Sequence, residues 1–150
     1  MTDPNTSCEV QLRVRYREVD RMGAVHHSHY WVYFEMGRTE LLRRQGANYA
    51  DLEASGVFFV VVKCSARFRA PARYDDVLTL TTRVVRTAAA RIDHAYELKR
   101  PADGRLICTG ETTIACVDAD SKVRRIPPAL AEPRPPRRSE ERPTTETQRE

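Results

Sequence analysis

The chain has 150 residues, of which 41% are hydrophobic and 31% charged, and carries a net charge of +4. That length suits one packed domain and is too short for two independent cores, and the composition excludes both wholesale disorder and a membrane protein. No apolar run approaches the roughly 20 residues that span a bilayer, Met1 to Glu9 lacks the apolar stretch of a secretory signal, and a cytoplasmic location is expected.

Val10, Leu12, Val14 and Tyr16 alternate with Glu9, Gln11, Arg13 and Arg15, which is the period of a half-buried strand. Residues 1–8 ahead of it are expected to be flexible. Arg17 to Ser28 holds no sustained period and reads as a loop. From His29 to Gln45, Tyr30, Phe34, Gly37 and Leu41 recur at helical spacing, with Ser28 as candidate N-cap, Arg43 and Arg44 in the last turn and Gly46 beyond. The first half of this helix is apolar nearly all round, with Trp31, Val32 and Tyr33 beside Phe34, so other elements should enclose it. Gly37 costs about 1 kcal/mol relative to Ala and suggests close approach of another backbone.

A short helix is expected from Asn48 to Ala54, ending at Gly56. Strand-like segments follow at Val57 to Phe68, Val77 to Val85, Ile92 to Leu98 and Leu106 to Val117, separated by turn sequences at residues 71–76 and 101–104. Asp118 to Lys122 predicts a turn into a short edge strand that stops at Pro127 and Pro128. The domain is expected to span 9–130. Residues 131–150 hold almost nothing apolar to bury and are expected to form a disordered tail.

Cys8, Cys64, Cys108 and Cys116 form no C-x-x-C pair, so neither a disulfide framework nor a structural zinc is expected. The arginines are spread over strand-like segments without a dense basic run, which makes nucleic acid a weak candidate partner. A polyanionic small molecule such as coenzyme A remains compatible with that charge.

The chemically informative stretch is Tyr16 to Tyr30, where Asp20 precedes Gly23 in a loop that runs into the N-terminus of the long helix. Unpaired backbone N–H groups at a helix N-terminus carry partial positive charge and can hold an oxyanion. A carboxylate beside such a terminus suits acyl transfer. Thioesters suit so sparse a set of groups, because a thiol of reference pKa about 8.5 leaves readily as the thiolate.

Asp20-Arg21-Met22-Gly23-Ala24-Val25 after Arg13-Val14, then His27, Tyr30, Phe34-Glu35 and Arg38-Thr39-Glu40, together resemble the 4-hydroxybenzoyl-CoA thioesterase family of hot-dog acyl-CoA thioesterases, which includes short-chain enzymes associated with bacterial envelope maintenance. Arg67-Phe68, Pro71, Tyr74-Asp75-Asp76 and Arg125-Ile126-Pro127 extend the likeness over roughly residues 10 to 130. Val19 stands where the family usually has Thr or Cys, Glu18 where Asp is frequent, and His26 where an aromatic is often found.

The resemblance implies an α+β hot-dog fold, an antiparallel sheet wrapped round one long helix, assembled as a homodimer or homotetramer with sites between subunits. It implies hydrolysis of an acyl-CoA, with Asp20 as nucleophile or general base and the His27 backbone N–H as oxyanion donor. Gly23, Val25, Tyr30 and Glu35 are the expected substrate-binding residues; neither metal nor cofactor is implied. Several alternatives stand beside these assignments. Asp20 can be a turn residue, Glu35 a buried glutamate bonded to Arg38 or the backbone, or else a second catalytic carboxylate, and His94 a satisfied sheet histidine. Lys63, Arg67 and Arg86 are either CoA phosphate ligands or solvated charges. At the level of function, the alternatives are an acyl carrier protein thioesterase and a non-catalytic acyl-CoA-binding module.

Overall fold

The computed structural model describes residues 6–131. Five antiparallel strands, β1 (Ser7–Arg13), β2 (Phe58–Phe68), β3 (Val77–Thr87), β4 (Arg91–Arg100) and β5 (Arg105–Val117), form one sheet in the order β1-β3-β4-β5-β2. The long helix α1 (Ser28–Arg44) crosses one face against β1 and β3, and α2 (Tyr49–Ala54) and the four-residue α3 (Pro128–Ala131) are the other α-helices among the described residues. This is the α+β arrangement that the order of sequence patterns implies. The expected tail 131–150 lies outside the described residues apart from Ala131, which closes α3.

Alternation decides which strand residues face the helix. On β4, His94, Tyr96 and Leu98 are buried with Leu78 and Leu80 of β3 and Leu12 of β1, while α1 contributes Tyr30, Tyr33 and Phe34 to the same core. Phe34, Leu78, Leu80 and Leu98 are fully enclosed, each contributing about 1.5–3 kcal/mol by its removal from water. A second cluster of Val57, Cys116 and Ile126, backed by Leu52 and Phe59, closes the far end of the sheet.

Several expectations need correction. The first strand starts at Ser7, so Ser7 and Cys8 are buried strand residues, and it ends at Arg13, three residues before Tyr16. The alternation breaks because the Glu18 carboxylate captures the Arg15 backbone N–H at 2.7 Å and folds Tyr16–Glu18 into a 3-10 turn, leaving Tyr16 exposed. Ser28 is the first helical residue and not the cap; His27 occupies that position without a side-chain capping bond. Asn48 does cap α2, accepting from the Asp51 N–H at 2.8 Å.

The first half of α1 is not enclosed within one chain, since Val32 and Met36 are exposed on its outer stripe. The nearest atoms at Gly37 belong to β3 side chains: an added β-carbon would meet Thr82 Oγ1 and come within 2.8 Å of Leu80 Cδ2. The edge strand expected after Lys122 reduces to one bridge between Val117 and Val123. There the Ile126 N–H turns to the Ala89 carbonyl at 2.8 Å, and Pro127 and Pro128 have no N–H to extend a ladder.

Candidate active site

The segment ahead of α1 folds as a small hairpin. Val19 bridges Val25, the Asp20 N–H donates to the Ala24 carbonyl at 2.9 Å, and the Gly23 N–H returns to the Asp20 carbonyl at 2.9 Å. Gly23 has φ +77°, the left-handed conformation that hairpin loops of this kind place at a glycine. The Asp20 side chain accepts from the Met22 N–H through Oδ1 at 2.8 Å, which leaves Oδ2 outside that bond, and the residue is exposed. Its turn-forming role and its availability to an external group therefore coexist.

The hairpin rests on the loop ahead of β3. Ala24 bridges Arg73, the Val25 N–H donates to the Ala72 carbonyl at 2.8 Å, and Arg73 Nη1 donates to the Met22 carbonyl at 3.3 Å. That loop is pinned by Arg100, which binds Asp76 and Asp103, each at 2.9 Å.

The chain then enters α1 through three histidines. His26 Nδ1 contacts Ser28 Oγ at 2.8 Å, and the His26 and His27 carbonyls accept from the His29 and Tyr30 N–H groups. Among the described residues the His27 backbone N–H donates to no acceptor. An open cleft adjoins it, walled by Val25, His27, Tyr30, Phe68, Arg69, Ala70 and Pro71. Burial pushes the Tyr30 phenol up to about 12, so it is a neutral hydroxyl at physiological pH, and its ring packs on Phe68 at 5.1 Å between centroids.

Of the residues singled out in sequence, Val25, His27 and Tyr30 converge on this cleft, and Gly23 shapes the turn beside it. Asp20 does not line the cleft within a single chain. Glu35 is exposed on the outer stripe of α1 and is not the buried, Arg38-bonded glutamate that was one alternative; Arg38 reaches Tyr96 Oη instead, at 3.2 Å. Lys63 and Arg67 lie on β2, and Arg86 lies on β3 in register with Asp93 of β4. His94 is not a satisfied histidine: its Nδ1 is buried without a hydrogen-bond partner.

Two residues went unremarked as site components. Arg69 lines the cleft, and its place between Phe68 and Pro71 in the landmark segment was the available signal. Glu18 is 1% exposed; Arg15 binds it through the backbone N–H, Nε and Nη2, and the Tyr33 hydroxyl of α1 donates to its Oε1 at 2.9 Å. Burial pushes the Glu18 carboxyl up, yet the bonds from Arg15 and Tyr33 and the Arg15 charge together outweigh it and hold the group below its ordinary value. Burial and the Glu18 bond push the Tyr33 phenol up in turn. The sequence signals for Glu18 were its place two residues before Asp20, where the family frequently has Asp, and the spacing of Arg15 and Glu18, which allows a capping-box geometry.

The profile of the family described as the thioesterase-like superfamily matches residues 14–133. Over 111 residues the chain is 32% identical to a Bacillus subtilis protein named putative acyl-CoA thioesterase YneP, covering 74% of this chain and 80% of that one. It is 32% identical over 120 residues to the acyl-CoA thioester hydrolase YbgC of Escherichia coli, covering 79% and 89%. Among solved structures, a probable thioesterase from Bartonella henselae superposes with a TM-score of 0.76 at 34% identity, covering 81% of this chain and 99% of that one.

Proposed function

The chain belongs to the thioesterase-like superfamily and is a thioester hydrolase of hot-dog fold, and on that premise we propose that it cleaves an acyl-CoA to the free acid and CoA, with Asp20 as nucleophile or general base. The observation that carries this reading is the unbonded N–H of His27, which lies at the head of α1 and lines the cleft, in a segment whose preceding turn presents an exposed Asp20 carboxylate with Oδ2 outside the Met22 bond. In the reaction the His27 N–H stabilises the negative charge that develops on the thioester oxygen. Asp20 either attacks the carbonyl carbon directly, giving a mixed anhydride that water opens, or removes a proton from the attacking water. Both routes expel CoA thiolate. Val25 and Tyr30 border the acyl group, Gly23 keeps the turn close to it, and Glu35 approaches substrate from the outer stripe of α1. No metal or cofactor takes part.

The site is completed between two subunits. Among the described residues strand β2 is a sheet edge of eleven residues paired to β5 alone, and Val60, Val61 and Val62 are exposed along it; an edge of this length and polarity is a template for pairing with another chain. A homodimer or homotetramer formed there supplies a second wall for Asp20, which faces solvent in the single chain. Cytoplasmic action accords with four free thiols and with the absence, among the described residues, of any helix long and apolar enough to cross a membrane.

Release of free CoA from a panel of aliphatic and aromatic acyl-CoAs tests the proposal. Turnover of at least one class is expected. Binding without CoA release over hours would replace it with a non-catalytic acyl-CoA-binding module, and a strong preference for acyl carrier protein thioesters would move the substrate to the protein carrier.

A further inference from the structure

Glu18 joins the two halves of the site through both its side chain and its backbone. Its carboxylate binds the Tyr33 hydroxyl in the second turn of α1, while its carbonyl accepts the His26 N–H at 2.9 Å, immediately before His27. Asp20 follows two residues later. The spacing between the Asp20 carboxylate and the His27 N–H is therefore set on one side by the hairpin and on the other by Glu18.

We infer that Glu18 is a positioning residue for thioester hydrolysis, holding the Asp20 turn in register with the N-terminus of α1 through Arg15 and Tyr33. The inference rests on the roles given above to Asp20 and His27. Glu18 itself cannot meet substrate, because it is 1% exposed and both oxygens are engaged.

The chemistry requires a carboxylate. Oε1 accepts from the Arg15 N–H and the Tyr33 hydroxyl and Oε2 accepts twice from the Arg15 guanidinium, so the group acts only as an acceptor. Glutamine keeps the size but presents an NH2 donor to a guanidinium or to an N–H, leaving buried donors opposed. Released from Tyr33, the turn drifts relative to α1, and a displacement of about 1 Å costs on the order of 10²-fold in rate.

The test compares wild type with Glu18→Gln, Tyr33→Phe and the double variant, reading kcat and KM on an acyl-CoA together with amide hydrogen exchange at Asp20, Val25 and His26. Glu18→Gln is expected to lower kcat at least about 10-fold with KM changed less than about 3-fold, to speed exchange at those amides, and to be non-additive with Tyr33→Phe. Tyr33→Phe loses one hydroxyl and keeps the inference testable if Glu18→Gln fails to fold; it should show the same pattern in weaker form. Wild-type kcat in a folded Glu18→Gln, or a loss that simply tracks the unfolded fraction, would overturn the inference. So would unchanged exchange in both single variants. Exchange needs no substrate, so an inactive wild type would count against the proposed reaction while the exchange result still decides the positioning role.

Discussion

Gly110 of β5 is seated against the Phe34 ring of the central helix, so closely that a β-carbon at 110 would lie 2.5 Å from Phe34 Cζ and 3.2 Å from the Ser65 carbonyl. Phe34 has nowhere to retreat. It is fully buried and stacked on Tyr96 with centroids 4.3 Å apart. Gly110→Ala should therefore lower stability by about 2–3 kcal/mol through overpacking, measured by urea denaturation. An unchanged midpoint would mean the helix is less tightly seated than the structure shows.

His94 gives the protein an acid-sensitive core. Burial, reinforced by the Arg38 charge, pushes its imidazole down to about 4. The unfolded chain holds that group near 6.5, so between these values the unfolded state binds the additional proton. The stability from a neutral His94 is fully present above about 6.5 and is lost as pH falls towards about 4, on the order of 2 kcal/mol. Denaturation at pH 7.5 and 4.5, at one protein concentration, should show this loss in wild type and a smaller one in His94→Gln. Equal losses would place the acid sensitivity elsewhere.

The β2 edge provides a test of assembly. Val61→Lys puts a charge on an exposed strand residue in this chain, so the isolated subunit should fold as before. If β2 pairs two copies, the variant should sediment as a monomer and lose most of its activity. A variant that stays oligomeric and active would move the interface to another surface.

Chelation should leave turnover intact, because the chemistry assigned to Asp20 and the His27 N–H uses no metal and His26 Nδ1 is already occupied by Ser28 Oγ. Loss of activity in EDTA with rescue by added zinc would contradict this.

Helix α1 and strands β3 to β5 were legible within about two residues because periodicity reports burial, and β2 was legible from its run of Val and Phe although that edge is largely exposed in one chain. The exceptions arose where a side chain competed with the pattern. Tyr16 fits the alternation of β1, but Glu18 bonds the Arg15 N–H and ends the strand early. Val123 and Ile126 are the apolar residues of the expected edge strand, but Ile126 plugs the second core cluster instead of extending a ladder. At the site, the motif located Asp20 and His27 in the chain. Glu18 was hidden because a charged residue in a loop gives no sequence sign that Tyr33, fifteen positions later, will bury it. Trp31, Val32, Tyr33 and Phe34 read as an enclosed helix face, but Val32 is exposed within one chain.

The most direct measurement is the hydrolysis of acyl-CoA by wild type and Asp20→Asn under identical conditions, with the thermal midpoint of each. Asparagine retains the Oδ1 acceptor that holds the Met22 N–H, so the turn and the midpoint should be preserved while the carboxylate is lost. A positioned base or nucleophile contributes at least about 10² in rate, and kcat should fall by that factor or more. Asp20→Asn turning over near the wild-type rate, with its fold intact, would remove Asp20 from the chemistry and direct attention to Glu35.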